Sequence, residues 1–252
     1  MTTFAERRVP LETCHNFRDL GGYETTDGRR VRWGRLYRAD TLHRLTPHDT
    51  ATLLALGLRT VIDLRAADEL EHHGPVRVAE HDIAHHHLPI LDAVMGENRP
   101  VLLAEGEEMP PIGVFYVRML DHGRSAVSRA LEVLAGPGAL PAVFHCTAGK
   151  DRTGILAAVV LSLLGVPEDT IVADYALTEE ARASREAYLA EHDPEYYATL
   201  QAMAPWSRAA VPETMETFLA GLADQHGSAH ALAASLGVGD EVTERLRTEL
   251  LE

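Results

Sequence analysis

The residues best suited to chemistry lie in one short segment between a strongly apolar strand and a strongly apolar helix. In this segment five residues separate Cys146 from Arg152. Val143 and Phe144, which precede it, are typical of strands, and the apolar run at 155–164 is typical of a buried helix. We therefore predict a tight loop that joins a buried strand to the N-terminus of a buried helix.

Such a loop is suited to binding a phosphate-sized dianion. Backbone N–H groups at a helix N-terminus bind phosphate oxygens, and the helix dipole adds positive potential at the same point. A cysteine in this field is held as the nucleophilic thiolate, and the guanidinium of Arg152 can bind two phosphoryl oxygens at once. Gly149 lets the loop turn sharply and approach the anion closely. The pattern therefore predicts covalent phosphoryl transfer with Cys146 as nucleophile.

The other residues of the segment are predicted to support this chemistry. Thr153 can donate a hydrogen bond to the sulfur and make it a better leaving group, and His145 can brace the loop from the strand side. A buried, inert cysteine is the alternative, but it does not explain three charged residues between two apolar segments. The residues predicted to bind the substrate or hold the loop are Thr147, Ala148, Gly149, Lys150, Thr153 and His145.

The segment at 145–154, His-Cys-Thr-Ala-Gly-Lys-Asp-Arg-Thr-Gly, resembles the signature loop of the cysteine-dependent protein tyrosine phosphatase superfamily. Its form is similar to that of the bacterial branch of tyrosine and dual-specificity phosphatases, which includes phosphoinositide phosphatases. Residues 16–22, 34–40 and 61–65 resemble three further blocks of that branch, so the resemblance covers roughly residues 12–180. It implies hydrolysis of phosphomonoesters through a cysteinyl-phosphate intermediate.

The resemblance also implies the fold. We expect an α/β fold of the protein tyrosine phosphatase type, with a central, mainly parallel sheet flanked by helices and a helical C-terminal cap. Residues 1–252 are expected to form a single phosphatase domain, with a catalytic core at about 12–178 and a possible helical lid at 179–223. Met203, Trp206 and Met215 could form an apolar wall there, although a buried satellite core explains them equally well.

An acid must protonate the leaving-group oxygen, and two aspartates compete for this role. The resemblance places the acid on a loop after a strand, where Asp92 aligns. Asp151 is the rival, and it is slightly favoured because the signature loop itself holds it. The alternatives stay open at this stage. No metal ion or other cofactor is expected, because the loop already supplies the positive field.

Local patterns predict most of the secondary structure. Thr46 and Pro47 begin a helix at 46–57, a buried strand follows at 60–64, and a short helix follows at 68–72. Further helices are predicted at 112–121, 124–135, 179–204 with a break at Asp193-Pro194, 213–224, 229–236 and 240–251. Residues 93–111 are predicted to form a long loop, and residues 1–45 to hold irregular structure and short strands, with one of the strands at 31–33.

Two further patterns have plain structural explanations. Arg18 and Asp19 are charged within an apolar block, which suggests an ion pair that braces the loop. Residues 81–87 hold four of the fourteen histidines, but adjacent strand residues face opposite sides and the segment lacks a recognisable zinc pattern. We therefore predict a half-exposed strand here and no metal site.

Composition excludes several classes of partner. The net charge of −15 argues against nucleic-acid binding, so the phosphate site must be a local positive region. The longest apolar run is shorter than the roughly 20 residues that span a bilayer, and the first residues do not resemble a signal peptide. We expect a cytoplasmic protein without stable membrane insertion. Cys14 and Cys146 do not form a disulfide framework, and whether they form a redox pair is open.

The substrate is less well defined than the reaction. Lys150 adds a cation beside the phosphate, as in lipid phosphatases whose loops resemble this one, so the expected partner is a phosphorylated protein or a phosphoinositide. A phosphatase limited to phosphotyrosine remains an alternative. So do a phosphate-binding pseudophosphatase and a rhodanese-like sulfurtransferase, which also uses a cysteine in a loop.

Overall fold

The fold is built on one five-stranded sheet with strand order β1-β2-β5-β3-β4. The computed structural model describes residues 3–76, 82–91, 102–103 and 107–252, and of Trp206 only the backbone. β1 pairs antiparallel with β2, and the other neighbours pair in parallel. The strands are β1 (Arg18–Asp19), β2 (Leu36–Ala39), β3 (Thr60–Asp63), β4 (Ala84–His87) and β5 (Ala142–His145). The predicted mainly parallel sheet is confirmed.

Helices cover both faces of this sheet. The helices among the described residues are α1 (Phe4–Arg7), α2 (Pro47–Ala55), α3 (Ala67–His73), α4 (Ile112–His122), α5 (Arg124–Leu134), α6 (Asp151–Leu164), α7 (Glu168–Ala176), α8 (Thr178–His192), α9 (Pro194–Ala202), α10 (Pro205–Arg208), α11 (Pro212–His226), α12 (Ala229–Ser235) and α13 (Asp240–Leu250). The predicted helices are confirmed, including the break between α8 and α9 at Asp193-Pro194.

Alternation along the strands produces two hydrophobic cores. Ile62 and Phe144 belong to the larger core, whereas their neighbours Val61 and Val143 belong to the smaller one. Successive side chains of a strand point to opposite faces, so each face of the sheet buries its own set. β5 lies at the centre of the sheet, and the loop after it leads into α6. That helix is buried along nearly its whole length, which anchors the loop at both ends.

Two predictions for the N-terminal region are wrong. Residues 31–33 do not form a strand: Val31 makes only an isolated bridge with Leu251. Arg18 does not pair with Asp19. The carboxylate of Asp19 instead accepts hydrogen bonds from the backbone N–H groups of Gly21 and Gly34, both at 2.7 Å. Asp19 therefore ties two turns together and leaves Arg18 for a distant partner.

That partner is Asp174 of α7, which also binds Arg38 of β2. Arg18 Nε donates to Asp174 Oδ1 at 3.1 Å, and an Arg38 terminal nitrogen donates to Oδ2 at 2.6 Å. All three side chains are almost completely buried. Burial alone would raise the pKa of Asp174, but the two guanidinium groups outweigh it and hold the pKa well below its ordinary value. We call Arg18, Arg38 and Asp174 the arginine–aspartate triad.

Asp174→Asn should strongly destabilise the fold, because it keeps the shape of the side chain but leaves two buried cations without a counter-charge. We expect the free energy of unfolding, measured with urea at neutral pH, to fall by about 3–5 kcal/mol. Because the native pKa of Asp174 is depressed, its contribution is complete above the unfolded value of about 4 and is lost as pH falls below it. The difference in the free energy of unfolding between the wild type and Asp174→Asn should therefore become smaller as the pH falls below about 4.

Asp121→Asn is the matched control, since it makes the same chemical change in an exposed pair. Asp121 and Arg124 are both 49% exposed at the side chain, and such pairs contribute less than about 1 kcal/mol. Equal losses in the two variants would contradict a stabilising role for the triad.

Candidate active site

The loop after β5 places the Cys146 sulfur within hydrogen-bond distance of the Thr153 hydroxyl group. Cys146 is only 1% exposed, and Thr153 Oγ1 in the first turn of α6 donates to its sulfur at 3.1 Å. Thr153 is completely buried, so its hydroxyl group cannot donate to solvent in place of the sulfur. The predicted hydrogen bond is present, and it stabilises negative charge on the sulfur.

Hydrogen bonds from outside the loop orient its peptide groups. Asn16 Nδ2 donates to the carbonyl oxygens of Ala148 at 3.3 Å and Gly149 at 3.2 Å. Arg38 donates to the same Gly149 oxygen at 2.9 Å. A trans peptide holds its carbonyl and N–H on opposite sides, so these bonds direct the N–H groups of Gly149 and Lys150 away from Asn16 and Arg38. This is the orientation that an anion-binding loop requires.

Glycine is the one residue type that fits position 149. Its φ is +67°, in the left-handed region, and a Cβ there would lie 2.6 Å from the carbonyl oxygen of Ala39. A larger residue would push the loop away from β2 and from the donors that orient it.

Arg152 is held by a residue that the sequence did not reveal. Both terminal nitrogens of Arg152 donate to the carboxylate of Glu69 in α3, one of them at 2.9 Å, and the Thr147 hydroxyl donates to the same group. Burial opposes ionisation, but Arg152 outweighs it and lowers the pKa of Glu69 to about 2. The contact occupies the end of the guanidinium, so the edge that includes Nε remains for a phosphoryl group.

The sequence does not single out Glu69 as a partner of Arg152, because a glutamate at this position is already explained by helix capping. It is the third residue of α3, and its carboxylate accepts a hydrogen bond from the Ala66 backbone at 2.9 Å. A glutamate at this position is a common capping residue, so no local pattern separates that role from holding Arg152.

Lys150 and Asp151, which directly precede Arg152, belong to a chain of hydrogen-bonded polar side chains. Lys150 Nζ donates to Asp151 Oδ1 at 2.7 Å, and the Tyr116 hydroxyl donates to the same oxygen at 2.6 Å. The Tyr175 hydroxyl lies 2.8 Å from that of Tyr116. Burial would raise the pKa of Asp151, but the ammonium of Lys150 and the hydrogen bond from Tyr116 outweigh it and lower the pKa. Asp151 is therefore ionised near neutral pH.

The loop forms the floor of a cavity of about 320 Å³. One face of α8 and one face of α9 line it, with the spacing of three and four residues that places side chains on the same side of a helix. The lining residues of these helices are Thr178, Ala181, Arg182, Arg185, Glu186, Tyr196, Thr199 and Leu200, and Met203 directly after α9 also lines the cavity. Met203 fits the predicted apolar wall. Met215 is fully buried in the larger core, and the Trp206 side chain lies outside the described residues.

The remaining predicted residues have different outcomes. His145 is fully buried, with Nδ1 3.2 Å from the carbonyl oxygen of Cys146 and Nε2 3.7 Å from Asp63. Burial lowers the pKa of His145, so a neutral ring contacts the start of the loop, as a brace would. Asp92 and most of the predicted loop at 93–111 lie outside the described residues.

The histidine segment is a strand, as predicted. His85, His86 and His87 belong to β4, and His81 lies outside the described residues. Within the described ranges, no group of three or more His, Cys, Asp or Glu side chains is placed to hold a metal ion. In the same part of the chain, none of the helices has both the length and the apolar character needed to cross a membrane.

Cys14 and Cys146 are both free thiols in this structure. The Cys14 thiol donates to Asp40 at 2.6 Å. Burial and the charge of Asp40 raise the pKa of Cys14 well above its ordinary value. Because thiol–disulfide exchange needs a thiolate, this environment opposes a redox role for Cys14.

Comparison with known proteins gives one family. The model of the tyrosine phosphatase family matches residues 9–252. A Cupriavidus necator protein named as a tyrosine-protein phosphatase is 35% identical over 69% of this chain and 64% of its own length. The tyrosine-protein phosphatase of Nostoc commune is 38% identical over 56% and 47%. The triple specificity protein phosphatase PtpB of Mycobacterium tuberculosis is 32% identical over 72% of both chains.

The chain thus spans less than two thirds of the first of these relatives and about half of the second. Among solved structures, the Siw14 catalytic core has a TM-score of 0.39 at 16% identity, covering 76% of this chain and 91% of that one. TpbA of P. aeruginosa in complex with pTyr has a TM-score of 0.32 at 15% identity, covering 70% and 91%. Scores this low support no conclusion about function.

Asn16→Ala should weaken the binding of inorganic phosphate, because the loop loses the donor that orients two of its peptide groups. We expect the Kd, measured by titration calorimetry, to rise about tenfold, as for the loss of one charge-assisted hydrogen bond. The measurement needs no turnover, so it tests the loop geometry alone.

Thr13→Ala is the control for this change. Thr13 lies in the same segment and makes a buried hydrogen bond to Asp49 at 2.8 Å, but its partner is in α2 and not in the loop. It should lose thermal stability while keeping its phosphate affinity. A similar loss of affinity in both variants would show that Asn16 acts only through stability.

Proposed function

Because the chain belongs to the tyrosine phosphatase family, we propose that it hydrolyses phosphotyrosine in proteins through a cysteinyl-phosphate intermediate. The observation that carries the proposal is the loop at the cavity floor, where a buried cysteine, its hydroxyl donor and a correctly held arginine follow one another. The sulfur is the nucleophile, and the loop supplies positive charge to the phosphoryl oxygens.

In the first step the thiolate of Cys146 attacks phosphorus opposite the tyrosyl oxygen. The S–P bond forms as the P–O bond breaks, and the free edge of Arg152 and the loop N–H groups bind the equatorial oxygens. Asp151 passes a proton to the departing phenolate. In the second step Asp151 takes a proton from water, which attacks phosphorus, and the S–P bond breaks. The hydrogen bond from Thr153 stabilises the thiolate that leaves.

The depressed pKa of Asp151 decides how the proton arrives. The lowered pKa keeps the carboxyl group ionised near neutral pH, so in this mechanism the proton comes with the substrate. A phosphate monoester has a second pKa of about 6 and carries one proton below it. The negative charge of the bound phosphate then raises the pKa of the nearby carboxyl group, which favours transfer to Asp151. The rate should therefore decline above about pH 6.

Phosphoinositides are the second substrate class in the proposal. Lys150 lies beside the phosphate loop, and the M. tuberculosis relative is named a triple specificity phosphatase. The phosphotyrosine proposal ranks first because Lys150 is already paired with Asp151 at 2.7 Å. We further propose one catalytic domain in which residues 179–223 act as a lid, since α8, α9 and α10 contribute to the cavity wall.

Cys146→Ser should abolish phosphate release in EDTA from a phosphotyrosine peptide, a phosphoserine peptide and a phosphoinositide panel. A serine hydroxyl is not ionised at neutral pH, so we expect a loss of at least about 10³-fold. Cys14→Ser is the control, since it changes the other cysteine and keeps a hydroxyl donor for Asp40, and it should retain activity.

Other outcomes would point to the alternative functions. No phosphate release by the wild type, together with tight phosphate binding, would indicate a pseudophosphatase. Sulfur transfer from thiosulfate without phosphate release would indicate a sulfurtransferase. Release of phosphate from lipid alone would reverse the order of the two substrate classes.

Asp151→Asn should lower kcat about 10²-fold and remove the decline of kcat on the basic side, because no carboxyl group is left whose proton the reaction needs. The pH profile of kcat on a phosphotyrosine peptide, measured from acid to neutral pH, checks this. Asp92→Asn is measured beside it and should keep the basic limb. Loss of that limb in the Asp92 variant alone would transfer the role of acid to Asp92.

A further inference from the structure

The cavity carries excess positive charge on its walls as well as at its floor. Among the described residues that line it, five cations face three carboxylates, so two positive charges are in excess, although the whole chain carries −15. A Cys146 thiolate cancels one of them and leaves the other. The cations are Lys150, Arg152, Arg182, Arg185 and Arg208.

Four of these cations are already paired by hydrogen bonds to carboxylates. Lys150 binds Asp151, and Arg152 binds Glu69. On the wall, Glu186 accepts from Arg182 at 3.1 Å and from Arg208 at 3.2 Å, and Arg182 also binds Glu179 at 2.7 Å.

Arg185 differs from the other four. Within the described part of the chain, its nearest carboxylate oxygen belongs to Asp40, at 3.9 Å, beyond hydrogen-bond distance. Asp40 already accepts hydrogen bonds from the Cys14 thiol and from the backbone N–H groups of His15 and Asn16. The guanidinium of Arg185 therefore lines the cavity with its donors largely uncommitted, on the same face of α8 as Thr178 and Ala181.

The part of the cavity wall next to Arg185 is largely apolar. Tyr196 and Leu200 of α9 and Met203 directly after it present an aromatic ring, an aliphatic chain and a thioether chain to the cavity. The Tyr196 ring centroid lies 6.0 Å from the Arg185 guanidinium carbon. An apolar surface beside a cation suits a group that carries a ring and, a short distance away, a second negative charge.

We propose that Arg185 binds a second anionic group of the substrate, the carboxylate of an acidic residue next to the phosphotyrosine. This assignment rests on the proposed function. It adds that the phosphatase prefers substrates with an acidic residue beside the phosphotyrosine. A guanidinium can bind a carboxylate through two parallel hydrogen bonds. A net charge of −15 repels any anionic partner, but the extended negative surface of a membrane is repelled more strongly than one acidic peptide, so a peptide is favoured over a membrane lipid.

The test uses two phosphotyrosine peptides that differ only in a glutamate or a glutamine beside the phosphotyrosine. Their affinities are measured on Cys146→Ser by titration calorimetry, and their kcat/KM on the active protein. We expect the glutamate peptide to be preferred about tenfold, mainly through KM. Arg185→Gln should reduce the preference to about one, and Arg185→Lys should keep part of it.

Arg129→Gln is the control for total charge. Arg129 lies on α5, is 59% exposed and pairs with Glu132, so the variant removes one positive charge away from the cavity. It should keep the glutamate preference, and thermal unfolding checks that each variant is folded. An unchanged preference in Arg185→Gln, or no preference in the parent protein, would overturn the assignment.

The measurements separate this inference from the proposed function. Turnover of both peptides at equal rates would overturn the role of Arg185 and leave the phosphatase intact. Absence of turnover would overturn the phosphatase, while the calorimetry would still report the preference. A larger loss in Arg185→Gln for a soluble inositol bisphosphate than for the glutamate peptide would assign the second anionic group to an inositol ring and overturn the peptide assignment.

Discussion

The active-site loop depends on a buried cluster that contains more positive than negative charge. In the arginine–aspartate triad, Arg38 binds Asp174 at 2.6 Å and the Gly149 carbonyl at 2.9 Å, so one guanidinium both holds the fold together and orients the loop. Burial and the nearby Arg38 lower the pKa of Arg18 to about 10, which still leaves it charged at neutral pH. The triad therefore places one uncompensated positive charge beside the phosphate site, within a chain that is otherwise strongly acidic.

The side chains that hold the loop act on different parts of it. Asn16 binds the carbonyl groups in the middle of the loop, whereas Glu69 binds Arg152 at its end. The first support comes from the segment that precedes β1 and the second from the helix that follows β3. The loop is consequently held by elements on both sides of β5.

Local patterns are sufficient to predict the loop and most of the helices, whereas the type of fold follows from the family resemblance. The strand, the turn at Gly149 and the apolar helix α6 are each encoded by neighbouring residues, so they could be predicted. Contacts between distant segments could not: 156 positions separate Arg18 from Asp174. Arg185 was equally hidden, because a charged residue on an amphipathic helix normally faces water. Residues 31–33 were predicted as a strand because pairing cannot be judged locally, and Val31 has only Leu251 as a bridge partner.

In the proposed mechanism the substrate itself sets the protonation state, because Arg152 and Asp151 are both held in ion pairs. Arg152 pairs with Glu69, and the ammonium of Lys150 holds Asp151 ionised. A bound phosphate uses the free edge of Arg152 and leaves the Glu69 contact in place. Its negative charge opposes that of Asp151 and promotes uptake of the proton that the leaving group later requires. The proposed mechanism therefore depends on a substrate that brings both its negative charge and its proton to the loop.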